Sequence, residues 1–181
     1  GTPCHSPPVY IEAGIDQDFK ITANQLEAAI TDKTKMIIVC SPCNPTGSVY
    51  TKNELEKLSE VIKKHDEMFV LADEIYEHIN YIGEHASFAQ FPGMKERTIV
   101  VNGVSKAYAM TGWRIGFIAA PEWIVKGCNK LQGQYTSGPC SVSQKAAEEA
   151  YVGSQQDVED MRKAFERRRD LIVKLAKEIP G

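Results

Sequence analysis

The chain has 181 residues, of which 43% are hydrophobic and 25% are charged, and its formal net charge is −3. This length suffices for one well-buried core, and the composition is ordinary for a globular protein. So small a charge imbalance argues against a nucleic-acid or membrane-surface protein, and no apolar run approaches the length of a transmembrane span. We therefore expect no nucleic-acid or membrane partner.

Five cysteines, an odd number without the spacing of a disulfide framework, favour a reducing compartment, and we expect the cytoplasm. Cys40 and Cys43 form a C-x-x-C motif, but a turn-forming Asn-Pro-Thr-Gly follows them. In thiol redox proteins the first cysteine begins a helix, whose dipole lowers its pKa. A zinc site would need two more ligands at suitable spacing, so we predict no metal site.

In chain order, the first predicted element is a short strand at residues 9–12. Two capping boxes predict the starts of helices: Thr22-x-x-Gln25 and Thr51-x-x-Glu54. Three apolar runs are typical of strands buried on both faces: residues 36–40, 68–72 and 98–102.

The C-terminal part of the chain has a helical pattern. Pro121 suits the first position of a helix, and Ser141-x-x-Gln144 predicts the cap of the next one. Apolar residues at three- and four-residue spacing predict a long amphipathic helix over residues 154–179. Its basic cluster at residues 167–169 is interleaved with acidic residues, which indicates a solvated face.

Alternation of buried strands with helices predicts a parallel sheet covered by helices on both faces. The connection at residues 103–113 is too short for a helical crossover, so residues 114–119 are predicted to run antiparallel. The expected fold is a three-layer α/β/α arrangement with a mixed, mostly parallel sheet. Lys106 lies in that connection, between two strands that we expect to be buried, where burial would favour a neutral, nucleophilic amine.

Polar side chains follow each predicted parallel strand, at the edge where open α/β sheets bind ligands. In chain order these candidate residues are Asn44, Asp73, Tyr76, Lys106 and Arg114. A carboxylate, a lysine and several hydrogen-bond donors are what a pyridine-type electron sink with a phosphate requires. The pattern therefore predicts a cofactor site.

The segments SPCNPTG, DEIY and SKAYAMTGWRIG, in that order, closely resemble the class I aminotransferases, the aspartate aminotransferase family of pyridoxal-phosphate enzymes. The resemblance covers nearly the whole chain and implies the large domain of fold type I, here incomplete. It also implies pyridoxal 5′-phosphate as cofactor, an amino acid and a 2-oxo acid as substrates, and a homodimer. Residues 134–137 are a candidate to reach the partner's phosphate site.

The resemblance implies a role for each candidate residue. Lys106 corresponds to the lysine of the internal aldimine, which also moves a proton, and Asp73 to the carboxylate at the ring nitrogen. Asn44 and Tyr76 correspond to the residues bonding the phenolate oxygen. Arg114 corresponds to the phosphate-binding arginine, whose planar fork grips two oxygens.

Some family members have a phosphate-binding serine three residues before the lysine. That position is Gly103 here, so only the neighbouring Ser105 is left as a candidate phosphate ligand. We assign residues 1–153 to part of the cofactor-binding large domain and residues 154–181 to a helix leading toward a small domain.

The resemblance further implies that these residues are an internal part of an aminotransferase that uses aspartate as amino donor, and that they are catalytically impaired alone. Three alternatives stay open. One is another fold type I enzyme such as a carbon–sulfur lyase, and another is a thiol redox protein that uses Cys40 and Cys43. The third is a non-catalytic α/β interaction module.

Overall fold

The structure is a computed structural model that describes residues 7–180. Within that range the sheet has four strands: β1 (Met36–Cys40), β2 (Phe69–Asp73), β3 (Thr98–Gly103) and β4 (Gly116–Ala119). The α-helices are α1 (Ala23–Ala29), α2 (Lys52–Lys63), α3 (Glu122–Tyr135), α4 (Ser141–Val152) and α5 (Gln156–Ala176). Among the described residues, no helix is both long enough and apolar enough to cross a membrane.

The four strands form one mixed sheet in the order β1-β2-β3-β4. The β1–β2 and β2–β3 pairs are parallel, whereas β4 runs antiparallel to β3. Cys40 is in register with Asp73, and Asp73 with Val101, so the first three strands end at the same edge. The predicted mixed, mostly parallel sheet is confirmed.

The main core lies between α2 and one face of the sheet. Leu55, Leu58 and Ile62 on the inner face of α2 are at most 1% exposed and belong to one apolar cluster with Val39 and Val70. Burial of each such side chain contributes roughly 1.5–3 kcal/mol. Both predicted capping boxes are present and fix where α1 and α2 begin.

Helix α3 contacts the opposite face of the sheet. The ring of Trp123 packs edge-on against Phe69 of β2, with the ring centroids 5.6 Å apart. Because side chains alternate along a strand, Phe69 and Val70 point to opposite faces. Helices therefore lie on both sides of the sheet, as the three-layer prediction requires.

The strand predictions need two corrections. Residues 9–12 are not a strand, because they lie outside the strand pairing of the described sheet. The last strand begins at Gly116 rather than at residue 114, since Arg114 has a left-handed backbone with φ 57°. Strand β4 is also largely exposed, with Phe117 at 44%, so the connection that holds Lys106 does not join two buried strands.

The helix predictions need two further corrections. Cys140, not Ser141, is the N-cap of α4, and Gln144 donates its side-chain amide to the carbonyl of Pro139 instead of completing a capping box. Helix α5 is shorter than the predicted 154–179. It begins after Gln155, whose side-chain amide donates to carbonyls at the end of α4 and so separates the two helices.

Candidate active site

The loop after β1 holds Asn44 at the carboxyl edge of the sheet. Its backbone is closed by two hydrogen bonds, from Cys43 N to Ser48 O (2.9 Å) and from Gly47 N to Cys43 O (2.8 Å). Gly47 has φ +74°, a conformation that favours glycine and turns the chain back. The side-chain amide of Asn44 donates to the hydroxyl oxygen of Tyr76 over 3.2 Å.

The turn after β2 positions Asp73 and Tyr76. Asp73 is the last strand residue, and its Oδ1 accepts a hydrogen bond from the backbone of Ile75 at 3.2 Å. The backbone N–H of Glu74 donates to Val101 of β3, which fixes this turn beside the third strand. Tyr76 thereby comes to lie next to Asn44 across the ends of two neighbouring strands.

The turn after β3 carries Lys106. It is closed by a hydrogen bond from Met110 N to Val104 O (3.3 Å), and Ala109 N donates to the Lys106 carbonyl (3.1 Å). Lys106 is half-buried, and its Nζ lies 5.7 Å from the centroid of the Tyr76 ring. Three of the predicted residues, Asn44, Tyr76 and Lys106, are thus connected in one constellation.

Arg114 and Ser105 flank that constellation in the chain. Arg114 is exposed, and its Nη1 donates to the carbonyl of Thr111 at 3.0 Å, which orients the guanidinium at the end of a one-turn 3-10 helix. Ser105 is half-buried beside Lys106. Residues 134–137, the candidate for contact with a partner, are exposed at the end of α3.

Asn102, at the end of β3, connects the Tyr76 turn to the Lys106 turn. It is only 7% exposed, and it donates to the carboxylate of Glu77 at 2.7 Å. The oxygen of its side-chain amide accepts from the backbone N–H of Gly103 at 2.7 Å. Sequence reasoning missed this bridge. The available signal was an amide at the end of an otherwise apolar strand, because a buried polar side chain needs a partner.

Aromatic rings support the Lys106 turn from the other side. Tyr108 packs edge-on against Tyr151 of α4 with the centroids 5.0 Å apart, and its hydroxyl donates to Gln155 at 2.9 Å. Phe117 of β4 also packs on Tyr151. Burial, with the nearby Tyr108 and Glu77, raises the pKa of Tyr151 to about 12.

Glu74, Glu77 and His85 bring potential metal-ligand atoms within 4.8 Å of one another. Each already has a protein partner: Glu74 bonds His85 at 3.0 Å, and Glu77 bonds Asn102. This cluster links the Tyr76 turn to the following loop.

Comparison with known proteins identifies the family to which this chain belongs. The family described as aminotransferase class I and II matches residues 3–181. An aspartate aminotransferase of Bacillus sp. (strain YM-2) is 51% identical over 176 residues, covering 96% of this chain and 45% of that protein. A bifunctional aspartate aminotransferase and glutamate/aspartate-prephenate aminotransferase of Petunia hybrida is 49% identical, covering 96% of this chain and 37% of that protein.

Solved structures agree. The aspartate aminotransferase from Rhizobium meliloti superposes with a TM-score of 0.93 at 44% identity, over 96% of this chain and 44% of that one. The chain belongs to the class I and II aminotransferase family and has its fold type I architecture. It spans less than half the length of these relatives.

Proposed function

We propose that the complete protein is a pyridoxal-phosphate-dependent aminotransferase that moves the amino group of aspartate to a 2-oxo acid. The observation that carries this proposal is the constellation of Lys106, Tyr76 and Asn44 at the carboxyl edge of the sheet. The names of the relatives, several of them aspartate aminotransferases, support the substrate class.

The donor set fits the cofactor. When bound, pyridoxal phosphate supplies an electron sink that stabilises negative charge on the substrate's α-carbon. Asp73, at the end of β2, would hold the ring nitrogen in its protonated form. Asn44 and Tyr76 would donate to the phenolate oxygen. Since the Tyr76 oxygen already accepts from Asn44, its own hydrogen is left to donate to an anion.

Lys106 would hold the cofactor covalently through Nζ and would act as the base that takes a proton from the substrate's α-carbon and returns it. Its turn is tied to the Tyr76 turn through Asn102 and Glu77. This bridge would keep the base and the phenol at a constant separation, which is what a positioned proton transfer requires.

Arg114 and Ser105 would bind the phosphate, with Arg114 as the charged, forked donor. We further propose a homodimer in the cytoplasm, a compartment favoured by the free thiols of Cys40, Cys43, Cys128 and Cys140. The 181 residues span less than half of the matched aminotransferases, and we expect them to turn over slowly on their own.

The test is a transamination assay of the complete protein with aspartate and 2-oxoglutarate, measuring oxaloacetate. Asp73→Ala should lower kcat by about a hundredfold or more, because it removes the charge that keeps the ring protonated. Asp66→Ala, at an exposed position before β2, is the matched control and should keep full activity. Turnover of Asp73→Ala close to that of the parent protein would overturn the assigned role.

A further inference from the structure

Two cysteines lie directly beside the Asn44–Tyr76 pair. Cys40 is the last residue of β1 and is in register with Asp73, and Cys43 immediately precedes Asn44. Both are half-buried free thiols, and Cys43 lines a cavity of about 360 Å³ together with Asn44 and Tyr76. The proposed function assigns no task to either thiol.

The Cys40 thiol lies beside the backbone of Cys43. It donates to the Pro42 carbonyl at 3.3 Å, so its sulfur is held against the peptide bond that joins Pro42 to Cys43. Burial raises the pKa of Cys40, and the nearby Asp73 carboxylate and Cys43 add to this effect. This shift favours the protonated form of the Cys40 thiol.

We propose that Cys40 and Cys43 form a reversible disulfide that breaks the Asn44–Tyr76 contact and so weakens cofactor binding. This inference rests on the proposed function for its effect on the cofactor, and on the thiol geometry for the disulfide itself.

The oxidant is a small-molecule disulfide such as oxidised glutathione. The thiolate of Cys43, which faces the cavity, attacks one sulfur of the reagent, forms a mixed disulfide and expels one glutathione thiolate. The thiolate of Cys40 then attacks the Cys43 sulfur and expels the second. The protein loses two electrons and two protons, and the reagent is reduced to two thiols.

The disulfide would act on Asn44 through the backbone. Bonded sulfurs are only about 2.05 Å apart, so formation of the disulfide draws the two thiols together. Cys43 is anchored by its bonds to Gly47 and Ser48, and it is covalently linked to Asn44. Movement of Cys43 toward Cys40 therefore shifts both this closed loop and the amide that contacts Tyr76.

The experiment equilibrates the complete protein with oxidised glutathione and then measures three quantities. The first is the mass of the peptide that contains both cysteines, which should fall by about 2 Da on disulfide formation. The second is deuterium exchange of the backbone at residues 41–50, and the third is retention of pyridoxal phosphate. We expect faster exchange and about tenfold weaker retention, both reversed by dithiothreitol.

Cys43→Ser should abolish all three responses, and Cys128→Ser, at an exposed position on α3, should abolish none. Absence of the intramolecular disulfide would overturn the proposal, and so would a disulfide that leaves exchange at residues 41–50 unchanged. A disulfide with faster exchange but undiminished cofactor retention would also overturn it. If the reduced protein itself fails to bind pyridoxal phosphate, the proposed function fails, while the mass and exchange readouts still decide whether the switch exists.

Discussion

The side-chain amide of Asn44 donates to the hydroxyl oxygen of Tyr76 over 3.2 Å, which joins the ends of the neighbouring strands β1 and β2. The two groups thus hold each other in place. Because the amide occupies a lone pair of the phenol oxygen, the Tyr76 hydrogen remains free to donate to a further acceptor.

Tyr76→Phe should weaken pyridoxal-phosphate binding by about tenfold, since it removes one hydrogen bond to an anion while keeping the ring beside Lys106. Equilibrium titration by cofactor absorbance measures the change. Tyr81→Phe is the matched control, because the Tyr81 ring lies under Arg169. This variant should lose little affinity for the cofactor. Equal weakening in both variants would show that the Tyr76 hydroxyl has no specific role.

Gly103→Ala should destabilise the protein by about 1–3 kcal/mol. A Cβ at this position would lie 2.7 Å from the Ile115 carbonyl oxygen and 2.9 Å from the Gly116 Cα, both of them backbone atoms of the adjacent chain. Gly127→Ala, in open space on α3, should instead stabilise by about 0.5–1 kcal/mol. Urea unfolding measures the stability of the two variants. If both unfolding midpoints shifted in the same direction from that of the parent protein, this interpretation would be wrong.

Glu54→Gln should remove part of the acid dependence of stability. Burial works against the Glu54 carboxylate, but hydrogen bonds from Lys20 and Thr51 prevail and hold its pKa below the ordinary 4.5. A lowered folded-state pKa contributes stability above pH 4.5 that is lost as the pH falls through the folded value.

The parent protein should therefore be about 0.2–1 kcal/mol more stable than Glu54→Gln at neutral pH, and this difference should shrink in strong acid. Denaturant unfolding across the acidic range measures it. Glu56→Gln, at an exposed position on the same helix, should show no such pH-dependent difference. A constant difference between Glu54→Gln and the parent at every pH would disprove the assignment to charge.

Asn102→Ala should cost about 1–3 kcal/mol of stability, because it leaves the Gly103 N–H without its acceptor and Glu77 without its buried donor. Since Asn102 connects the two turns, cofactor binding should weaken as well. Asn53→Ala, on the exposed face of α2, controls for loss of an amide. Denaturant unfolding and cofactor titration of both variants test this. If Asn102→Ala changes neither stability nor cofactor binding, the proposed role of this bridge is wrong.

The sequence predicted the sheet well because buried parallel strands are continuous apolar runs and the short connection after β3 excludes a crossover helix. Both capping boxes were also predictable, since they depend only on residues three apart. The start of β4 was not predictable. Arginine rarely adopts a left-handed backbone, so nothing in the sequence indicates that Arg114 does so.

At the candidate site, the residue types at the strand ends could be predicted from the sequence, but the contacts between these residues could not. Asn44 and Tyr76 are 32 residues apart in the chain, and the sheet order brings them into contact. The bridge through Asn102 to Glu77 depends on which side chains face each other across two turns. Periodicity and spacing carry no information about such long-range partners.

The most direct test of the central claim is covalent labelling of the lysine. Pyridoxal phosphate is added to the complete protein, borohydride is used to fix it, and the modified residue is located by peptide mass. We predict that Lys106 is the one labelled position and that labelling is lost in Lys106→Ala. Labelling should be retained in Lys95→Ala, since Lys95 is an exposed lysine before β3. Labelling that persists in Lys106→Ala, or that falls on another lysine in the parent protein, would contradict the account.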